Sequence, residues 1–273
     1  MIGRERLIMH ITITGNLGSG KSTICKLLNE NYQFEVYSTG KVQRELARQM
    51  NMTTLELNQL MCSDKKYDKM IDDETARLSR ENRDKNIIFD SRLAWHFVEK
   101  SFKVFVSVSL EVAAERVIND QRGAEEKYTS LEEAKNLLAE RAATERRRYK
   151  DIYDLNYMDF ANYNLIIDST DCLPDKIAEI IIREAKSFYS NMEESNKMLV
   201  SPKRLVKDED ITEEDIARLQ PLIEEYKQVS YEIDQVIIVK KKEDDYIVLE
   251  GLDQAKAALL AKVSYAPVEV RTI

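Results

Sequence analysis

The sequence predicts an α/β fold, with a five-stranded parallel sheet flanked by helices, followed by a smaller α+β domain. Three observations lead to this fold class. Short apolar, β-branched runs alternate with long segments of helical periodicity, which is typical of βαβ units on a parallel sheet. A glycine-rich turn follows the first of these runs. The alternation ends after residue 173, and a hairpin pattern appears further along the chain.

Five short runs are predicted to form the parallel strands. They are LIMHITIT at 7–14, FEVYS at 34–38, NIIFD at 86–90, FKVFVSV at 102–108 and YNLIID at 163–168. Helical periodicity lies between them, most clearly at 63–83, 111–119 and 130–152. Strands separated by helices of this length favour parallel pairing, because a parallel crossover needs a dozen or more residues.

The sequence after residue 173 predicts a helix, a polar linker and a second domain. The helix LPDKIAEIIIREAKSFY is followed by a polar stretch at 190–198, which we interpret as the linker. From 199 to 273 the sequence predicts a capped helix, a β-hairpin around the turn KKKEDD, a short helix and a final strand. We therefore expect a first domain at 1–189 that folds independently of the second at 199–273.

Charge, hydropathy and cysteine usage argue against several classes of function. The formal net charge of −8, from 49 Asp+Glu against 41 Lys+Arg, argues against sequence-independent nucleic-acid binding, which depends on basic residues that neutralise phosphates. No apolar run is long enough to span a bilayer, and the first residues lack a signal-peptide pattern. The cysteines, Cys25, Cys62 and Cys172, have no metal-ligand spacing. A cytoplasmic protein without a membrane partner is expected.

The turn after the first strand matches the phosphate-binding P-loop pattern G-x-x-x-x-G-K-[ST] at every fixed position. It lies between a predicted strand and a predicted helix, as the pattern requires. In such a turn the backbone N–H groups surround an anion at a helix N-terminus. Lys21 is expected to reach the β- and γ-phosphates of ATP, and the Ser22 hydroxyl to ligate Mg²⁺. The predicted ATP-binding residues are Gly15, Asn16, Leu17, Gly18, Ser19, Gly20, Lys21, Ser22 and Thr23.

Four arginines lie within eight residues of the helix predicted at 130–152. They are Arg141, Arg146, Arg147 and Arg148. Because Arg141, Glu145 and Arg148 follow one another at i, i+4 and i+7, they are expected to project from one face of the helix. One interpretation is a solvated helix stabilised by salt bridges. The other is a phosphate site, since guanidinium groups stay charged and bind phosphate in a bidentate manner.

Four motifs occur in a recognisable order: ITITGNLGSGKSTICKLL, YSTGKVQRELA, IIFDSRLAW and RRRYKDIYDLNYMDFANYNLIIDST. Together they resemble the cytidylate kinases of the nucleoside monophosphate kinase family, particularly the short archaeal-type branch. The resemblance covers residues 7–186. It implies a P-loop sheet of five parallel strands, an acceptor-binding helical region and a lid. It also implies Mg²⁺-dependent transfer of a phosphoryl group from ATP to CMP or dCMP.

The resemblance also implies roles for the residues of the acceptor side. The S-T-G turn comprises Ser38, Thr39 and Gly40, and Ser38 would hydrogen-bond the acceptor base. Arg44, on the helix that this turn opens, would bind the acceptor α-phosphate. Asp90 and Arg92 end a buried strand, where open α/β sheets bind ligands. Arg92 would be a second phosphate ligand, and Asp90 would lie near the base and near Mg²⁺, which it would contact through water.

The resemblance implies further roles for the lid and for the helix predicted at 130–152, which carries the four arginines. Arg141 and Glu145 would lie near the acceptor sugar, and Arg148 near the phosphates. In the lid, Arg116 would face ATP, and Arg122 is a second candidate. The catalytic residues implied are Lys21, Arg92, Arg141 and Arg148. Where the family has glycine between the acid and the arginine of the D-G-R motif, this chain has Ser91.

The second domain resembles the ParB/sulfiredoxin-like fold. The motif position at the start of its short helix is Gly251, Leu252, Asp253 and Gln254, so the reactive cysteine of sulfiredoxins and the basic pair of ParB proteins are both missing there. Because chemistry depends on sites and not on folds, we expect a non-catalytic accessory domain. Nucleotide sensing, dimerisation and partner docking all remain open for it.

Two alternatives to a cytidylate kinase remain. One is a nucleoside monophosphate kinase that is specific for AMP or UMP, since the S-T-G turn and Arg44 occur there as well. The other is an ATP-binding regulatory protein whose C-terminal domain contacts DNA or a protein partner. The set of residues predicted to bind the acceptor favours an enzyme, because a regulatory ATP switch has no use for a second phosphate site.

Overall fold

The computed structural model describes residues 7–52, 54–119, 128, 130–191 and 196–271. In this part of the chain the helices are α1 (Lys21–Tyr32), α2 (Thr39–Gln49), α3 (Thr54–Ser63), α4 (Lys66–Glu81), α5 (Ala94–Phe97), α6 (Leu110–Asn119), α7 (Leu131–Tyr153), α8 (Pro174–Asn191), α9 (Glu213–Tyr226) and α10 (Leu252–Leu260). The strands are β1 (His10–Gly15), β2 (Glu35–Ser38), β3 (Ile87–Asp90), β4 (Phe102–Ser107), β5 (Leu165–Asp168), β6 (Lys197–Val200), β7 (Ile237–Lys242), β8 (Asp245–Glu250) and β9 (Ala266–Val270).

The strands form one sheet in the order β2-β3-β1-β4-β5-β6-β9-β7-β8. The five strands predicted from the sequence, β1 to β5, are all parallel to their neighbours, which confirms the α/β fold class. The sheet is larger than expected. β6 adds a sixth parallel strand beside β5, β9 is antiparallel to β6, and β7 pairs with both β9 and β8.

Helices cover both faces of the parallel strands. β1 lies at the centre of this region, and every one of its six residues is buried, which explains its nearly continuous apolar and β-branched sequence. α1 and α8 pack their apolar side chains on one face, where Leu28 and Ile181 are fully buried. On the other face Tyr149 from α7 belongs to the same buried cluster as Phe105 and Ile166. The carboxyl ends of β1 to β5 therefore lie between the helices that cover the two faces of the sheet.

The second part of the chain also has the predicted elements. Helix α9 begins with a capping box formed by Thr212 and Asp215. β7 and β8 form the predicted hairpin. Helix α10 begins after Gly251, whose φ is 89°. None of the helices among the described residues is long and apolar enough to cross a membrane.

The predicted linker at 190–198 overlaps regular structure at both ends. Helix α8 continues to Asn191, and Lys197 is already the first residue of β6. Because β6 pairs with β5 on one side and β9 on the other, the two parts of the chain share a sheet. They also share a core, since Ile166 belongs to the same buried cluster as Ala266. The domain bounds 1–189 and 199–273 stay predictions.

Candidate active site

The P-loop connects β1 to α1 in a conformation that depends on glycine. Gly15 ends β1, and a side chain there would place its Cβ 2.1 Å from the carbonyl oxygen of Val106. Gly18 has a φ of +73°, and its Cβ would lie 2.8 Å from the carbonyl oxygen of Ala113. Since no rotamer moves a Cβ, both positions require glycine for steric reasons. The first residues of α1, Lys21 and Ser22, line a cleft at this helix N-terminus, where N–H groups lack partners within the helix.

Lys21 lies at the base of the P-loop and bonds to backbone oxygens. Its Nζ donates to the carbonyls of Asn16 at 2.9 Å and Gly15 at 3.2 Å. Desolvation and, next, the nearby charge of Arg92 lower the pKa of Lys21 to about 7. Burial disfavours the protonated form of Lys21, whereas a phosphate nearby favours it. An approaching phosphate therefore stabilises the charged amine.

The S-T-G turn, formed by residues 38–40, meets the end of β3 in the same cleft. β2 and β3 pair in register, so Ser38 lies beside Asp90, and the Ser38 hydroxyl donates to Asp90 Oδ2 at 2.9 Å. Arg44 comes from the exposed face of α2. Its Nη1 would lie 3.6 Å from a Cβ built on Gly40, so the guanidinium extends back over the turn. The predicted acceptor residues are thus neighbours in space.

Arg92 and Glu145 form a buried ion pair in the middle of the cleft. The Arg92 Nε lies 2.8 Å from Glu145 Oε2, and its Nη1 donates to the Gly15 carbonyl at 2.6 Å. Arg141 donates to the other oxygen of Glu145 at 3.3 Å. Burial alone would raise the pKa of Glu145, but Arg92 and Arg141 outweigh it and hold that pKa at about 2. Glu145 is therefore ionised at neutral pH.

Arg148 is buried against a carboxylate that the sequence analysis did not predict. Its Nε lies 3.4 Å from Asp68 Oδ2, and its Nη2 donates to the Tyr149 hydroxyl at 3.1 Å. Asp68 lies on α4 together with Asp72, which accepts a hydrogen bond of 2.7 Å from Tyr153. The spacing of Asp68 and Asp72 on the buried face of an amphipathic helix was the signal that could have identified them.

Arg116 reaches the loop that follows β5. It donates to the Ser169 hydroxyl at 3.1 Å and to the Ser169 carbonyl at 2.6 Å. The Ser169 hydroxyl in turn donates to the carbonyl of Ser19 in the P-loop at 2.9 Å. Arg116 is therefore linked through Ser169 to the P-loop side of the cleft, and its role toward ATP stays a prediction, while Ser169 was not predicted. Arg122 falls outside the described residues.

Most of the predicted site residues line one cleft of about 1190 Å³. They are Leu17, Gly18, Ser19, Gly20, Lys21, Ser22, Thr23, Ser38, Gly40, Arg44, Asp90, Arg92, Arg116, Arg141, Glu145 and Arg148. Gly15 and Asn16 lie beneath it, where their carbonyls accept from Lys21. The cleft is also lined by Ser169–Pro174 after β5, a segment the sequence analysis had not assigned to the site.

The residues of this cleft fit a magnesium ion that is bound together with nucleotide phosphates. Ser22 and Asp90 both line the cleft, and their hydroxyl and carboxylate oxygens are donors that Mg²⁺ prefers. Among the described residues no group of three or more His, Cys, Asp or Glu side chains could hold a metal by itself. Mg²⁺ in nucleotide sites is usually bound by one or two protein ligands, substrate phosphates and water.

Comparison of the sequence with known proteins identifies a family. The chain matches the cytidylate kinase-like family over residues 10–171. It is 35% identical over 162 residues to a cytidylate kinase of Methanococcoides burtonii, which covers 59% of this chain and 88% of that protein. A cytidylate kinase of Haloarcula marismortui is 31% identical over 188 residues, covering 68% of this chain and 94% of that one.

Among solved structures, shikimate kinase from Acinetobacter baumannii in complex with shikimate matches 66% of this chain and 94% of its own, with 14% identity and a TM-score of 0.40. The family match covers more than half of the chain, and the two relatives are covered over most of their length. The chain belongs to the cytidylate kinase-like family, and it is a nucleoside monophosphate kinase.

Proposed function

We propose that the chain transfers the γ-phosphoryl group of ATP to CMP or dCMP and forms CDP or dCDP. The observation that carries this proposal is that two cationic sets line one cleft. The first is Lys21 with the P-loop, and the second consists of Arg44, Arg92, Arg141 and Arg148. A protein that only binds ATP needs the first set, whereas transfer to a second phosphate needs both.

The donor side is suited to hold the phosphates of ATP. The N–H groups at the start of α1 bind the phosphate oxygens, and Lys21 exchanges its two carbonyl partners for the β- and γ-phosphates. Arg116 faces the same side through its contacts with Ser169. When bound, Mg²⁺ neutralises charge on the phosphates, and Ser22 and Asp90 would hold it, Asp90 through water.

The acceptor side is suited to a pyrimidine monophosphate. Ser38 faces the base, and Arg44 and Arg92 bind the α-phosphate. Arg141 and Glu145 lie near the sugar. Guanidinium groups fit this work because they stay charged and form paired hydrogen bonds with phosphate. The relatives named cytidylate kinase support CMP as the acceptor.

The reaction needs positioning and charge neutralisation more than acid–base chemistry. An oxygen of the acceptor phosphate attacks the γ-phosphorus in line, and the bond from that phosphorus to the β–γ bridging oxygen breaks, so ADP leaves with the electron pair. Lys21, Arg92 and Arg148 stabilise the negative charge that spreads over the transferred group. Arg148 is poised for this role because Asp68 holds it within the cleft wall.

The second part of the chain is proposed to be a non-catalytic accessory domain of the ParB/sulfiredoxin-like type. Its motif position offers Asp253 as the acidic side chain, and both carboxylate oxygens of Asp253 bind the Arg218 guanidinium. A carboxylate engaged in this way supports a structural role. Since ATP is a cytoplasmic substrate, we also propose a cytoplasmic location.

The test of substrate specificity is an assay coupled to ADP release, with CMP, dCMP, UMP, AMP and shikimate as acceptors. We expect CMP and dCMP to be the best acceptors. Faster turnover of AMP or UMP would overturn the cytidylate assignment and leave the kinase activity intact. ATP binding without turnover of any nucleotide would instead favour the regulatory alternative.

The test of the two cationic sets uses single variants. Lys21→Ala should abolish turnover, because the β- and γ-phosphates lose their cation. Arg148→Ala should lower kcat on the order of 10²-fold and change the KM for ATP much less, since Arg148 acts on the transition state. Arg147→Ala is the matched control, because Arg147 is exposed one residue away. A normal kcat in Arg148→Ala would contradict the role of that arginine.

A further inference from the structure

A residue of the second part, Arg204, binds two carboxylates on the ATP side of the kinase. Its side chain is only 9% exposed, and its guanidinium lies 4.9 Å from the centre of the Tyr246 ring. Nη1 donates to Asp168 Oδ1 at 3.2 Å. Nη2 donates to the backbone oxygen of Asp244 and lies 3.4 Å from its Oδ1. One cation therefore joins the end of β5 to the turn of the β7–β8 hairpin.

The first of these carboxylates, Asp168, leads to the start of α6. Asp168 is fully buried, and besides Arg204 its Oδ1 accepts from the Thr170 hydroxyl at 2.7 Å. The Thr170 hydroxyl oxygen in turn accepts from the backbone N–H of Ser109 at 3.0 Å. Burial raises the pKa of Asp168, and Arg204 opposes this shift. The loop after β5 thus depends on a buried charge that Arg204 compensates.

The second carboxylate, Asp244, leads to the same helix terminus. Its Oδ2 accepts from the backbone N–H of Leu110 at 2.8 Å, and Leu110 is the first residue of α6. A carboxylate at this position satisfies an N–H group that has no partner within the helix and interacts favourably with the helix dipole. Both branches from Arg204 therefore end at adjacent N–H groups, those of Ser109 and Leu110.

The same helix and loop form part of the cleft that binds ATP in the proposed function. Arg116 on α6 donates to Ser169, and Ser169 donates to Ser19 of the P-loop. Thr170 and Val112 line the same cleft as Lys21. Helix α6, the loop after β5 and the P-loop are thus one hydrogen-bonded unit, and Arg204 connects it to the second part of the chain.

We propose that Arg204 is a positioning residue for the ATP side of the cleft, so that the second part of the chain is required for tight ATP binding. This inference rests on the proposed function only in assigning the P-loop side to ATP. It gives the second part a role in the kinase itself, through the placement of Arg116 and of the loop after β5. Arg204 does not line the cleft and acts through Asp168 and Asp244.

The test compares two variants in the full chain, Arg204→Met and Asp244→Ala. ADP affinity is measured by calorimetry without acceptor, and the KM values for ATP and for the acceptor are measured separately. We expect ADP to bind about tenfold more weakly in both variants, the size of one lost charge-assisted hydrogen bond. The acceptor KM should stay within about twofold, since the hydrogen bonds described here for Arg204, Asp168 and Asp244 do not go to residues of the proposed acceptor side.

Two further variants, Arg204→Lys and Glu250→Ala, guard against a purely structural explanation of a lower ADP affinity. Arg204→Met leaves Asp168 buried without its cation and can unfold the chain. Asp244 is half exposed, so its replacement costs less stability. If Arg204→Met does not fold, the ADP affinity of Asp244→Ala decides the test. Arg204→Lys keeps the charge and should retain most of the ADP affinity. Glu250→Ala is the control. Glu250 lies in the same hairpin as Asp244, and its replacement removes only an exposed ion pair with Arg271, which follows β9. Thermal unfolding is measured for all.

The outcomes separate this inference from the proposed function. Normal ADP affinity in a folded Asp244→Ala protein would overturn the inference, and so would equal losses for ATP and acceptor. An Arg204→Lys protein as weak as Arg204→Met would overturn the role of the charge. Because ADP binding needs no acceptor, a wrong acceptor assignment leaves this test intact. A wild-type chain that does not bind ADP would contradict the proposed function itself.

Discussion

Arg92 joins three parts of the cleft through its guanidinium group. Its Nε lies 2.8 Å from Glu145 Oε2 on α7, and its Nη1 lies 2.6 Å from the carbonyl oxygen of Gly15 at the end of β1. Arg92 itself follows β3. The end of β3, helix α7 and the P-loop are therefore held in one arrangement by a single side chain, with Glu145 as its anionic partner.

Replacement of Glu145 by Gln should weaken acceptor binding and lower stability. The change removes the charge that Arg92 and Arg141 share, and the Arg92 and Glu145 side chains are only 16% and 10% exposed. We expect a loss of about 3 kcal/mol in the free energy of unfolding and about a tenfold higher acceptor KM. Urea denaturation and steady-state kinetics measure the two effects. The exposed Glu140→Gln is the control, and an unchanged acceptor KM would contradict the prediction.

ATP binding should be accompanied by proton uptake at Lys21. Because desolvation lowers the pKa of Lys21 to about 7 without nucleotide, most of this amine is neutral at pH 8. Phosphates raise its pKa again, so close to one proton is taken up at pH 8. Calorimetry in two buffers of different ionisation enthalpy measures this number. Lys26→Met, at an exposed position, is the control and should take up the same number of protons. A wild-type protein that takes up no proton on binding ATP would refute the lowered pKa of Lys21.

Asp72 should make the protein less stable as the pH rises from about 4 to 7. Burial raises the pKa of Asp72 to about 7, while the hydrogen bond from Tyr153 opposes the shift. The folded state therefore binds this proton more tightly than the unfolded state, whose Asp pKa is about 3.9. The favourable contribution is complete below pH 4 and is lost as the pH rises through 7.

The variant Asp72→Asn removes this dependence. Relative to the wild type it should gain up to about 4 kcal/mol between pH 4 and pH 8, from a pKa difference of about three units. Urea unfolding at several pH values measures the gain. Asp73→Asn, at an exposed neighbouring position, should show no such trend. A stability difference for Asp72→Asn that is constant with pH would count against the shifted pKa.

A chain that ends near Lys186 tests the division into two domains. The polar stretch at 190–198 led us to expect that the first part folds alone. The structure leads us to expect the opposite, because the truncation removes β6 from the side of β5 and uncovers core residues such as Ile166. We expect aggregation and a lower melting temperature, measured by size-exclusion chromatography and circular dichroism. A soluble monomer with wild-type ATP affinity would support independent domains.

Local sequence signals were sufficient for the first five parallel strands and for the P-loop. The glycines of the P-loop and the β-branched runs of β1 and β4 carry their own structural preference. The spacing of Arg141, Glu145 and Arg148 predicted one helix face, and all three line the cleft. β6 was missed because four residues, KMLV, after a polar stretch resemble a linker until their partners β5 and β9 are known.

The rest of the site depends on contacts between residues that are distant in sequence. Nothing near Arg148 indicates that Asp68 on α4 binds it, and nothing near Arg204 indicates the buried Asp168. Ser169 is a small polar residue after a strand, which has no distinctive signal until Arg116 and Ser19 are seen to bond with it. Such long-range pairs follow from the topology of the sheet, and the local patterns of a single sequence do not reveal them.

The position of β9 determines when the protein can be completed during synthesis. β9 lies between β6 and β7 in the sheet, although the ribosome makes it after both. The nascent β7–β8 hairpin therefore has no strand to join until residues 266–270 have emerged, whereas β1 to β5 can already pair. Asp244 is in the turn of that hairpin and reaches Leu110 only once the hairpin has docked. The P-loop side of a kinase whose family match ends at residue 171 is thus finished about a hundred residues later.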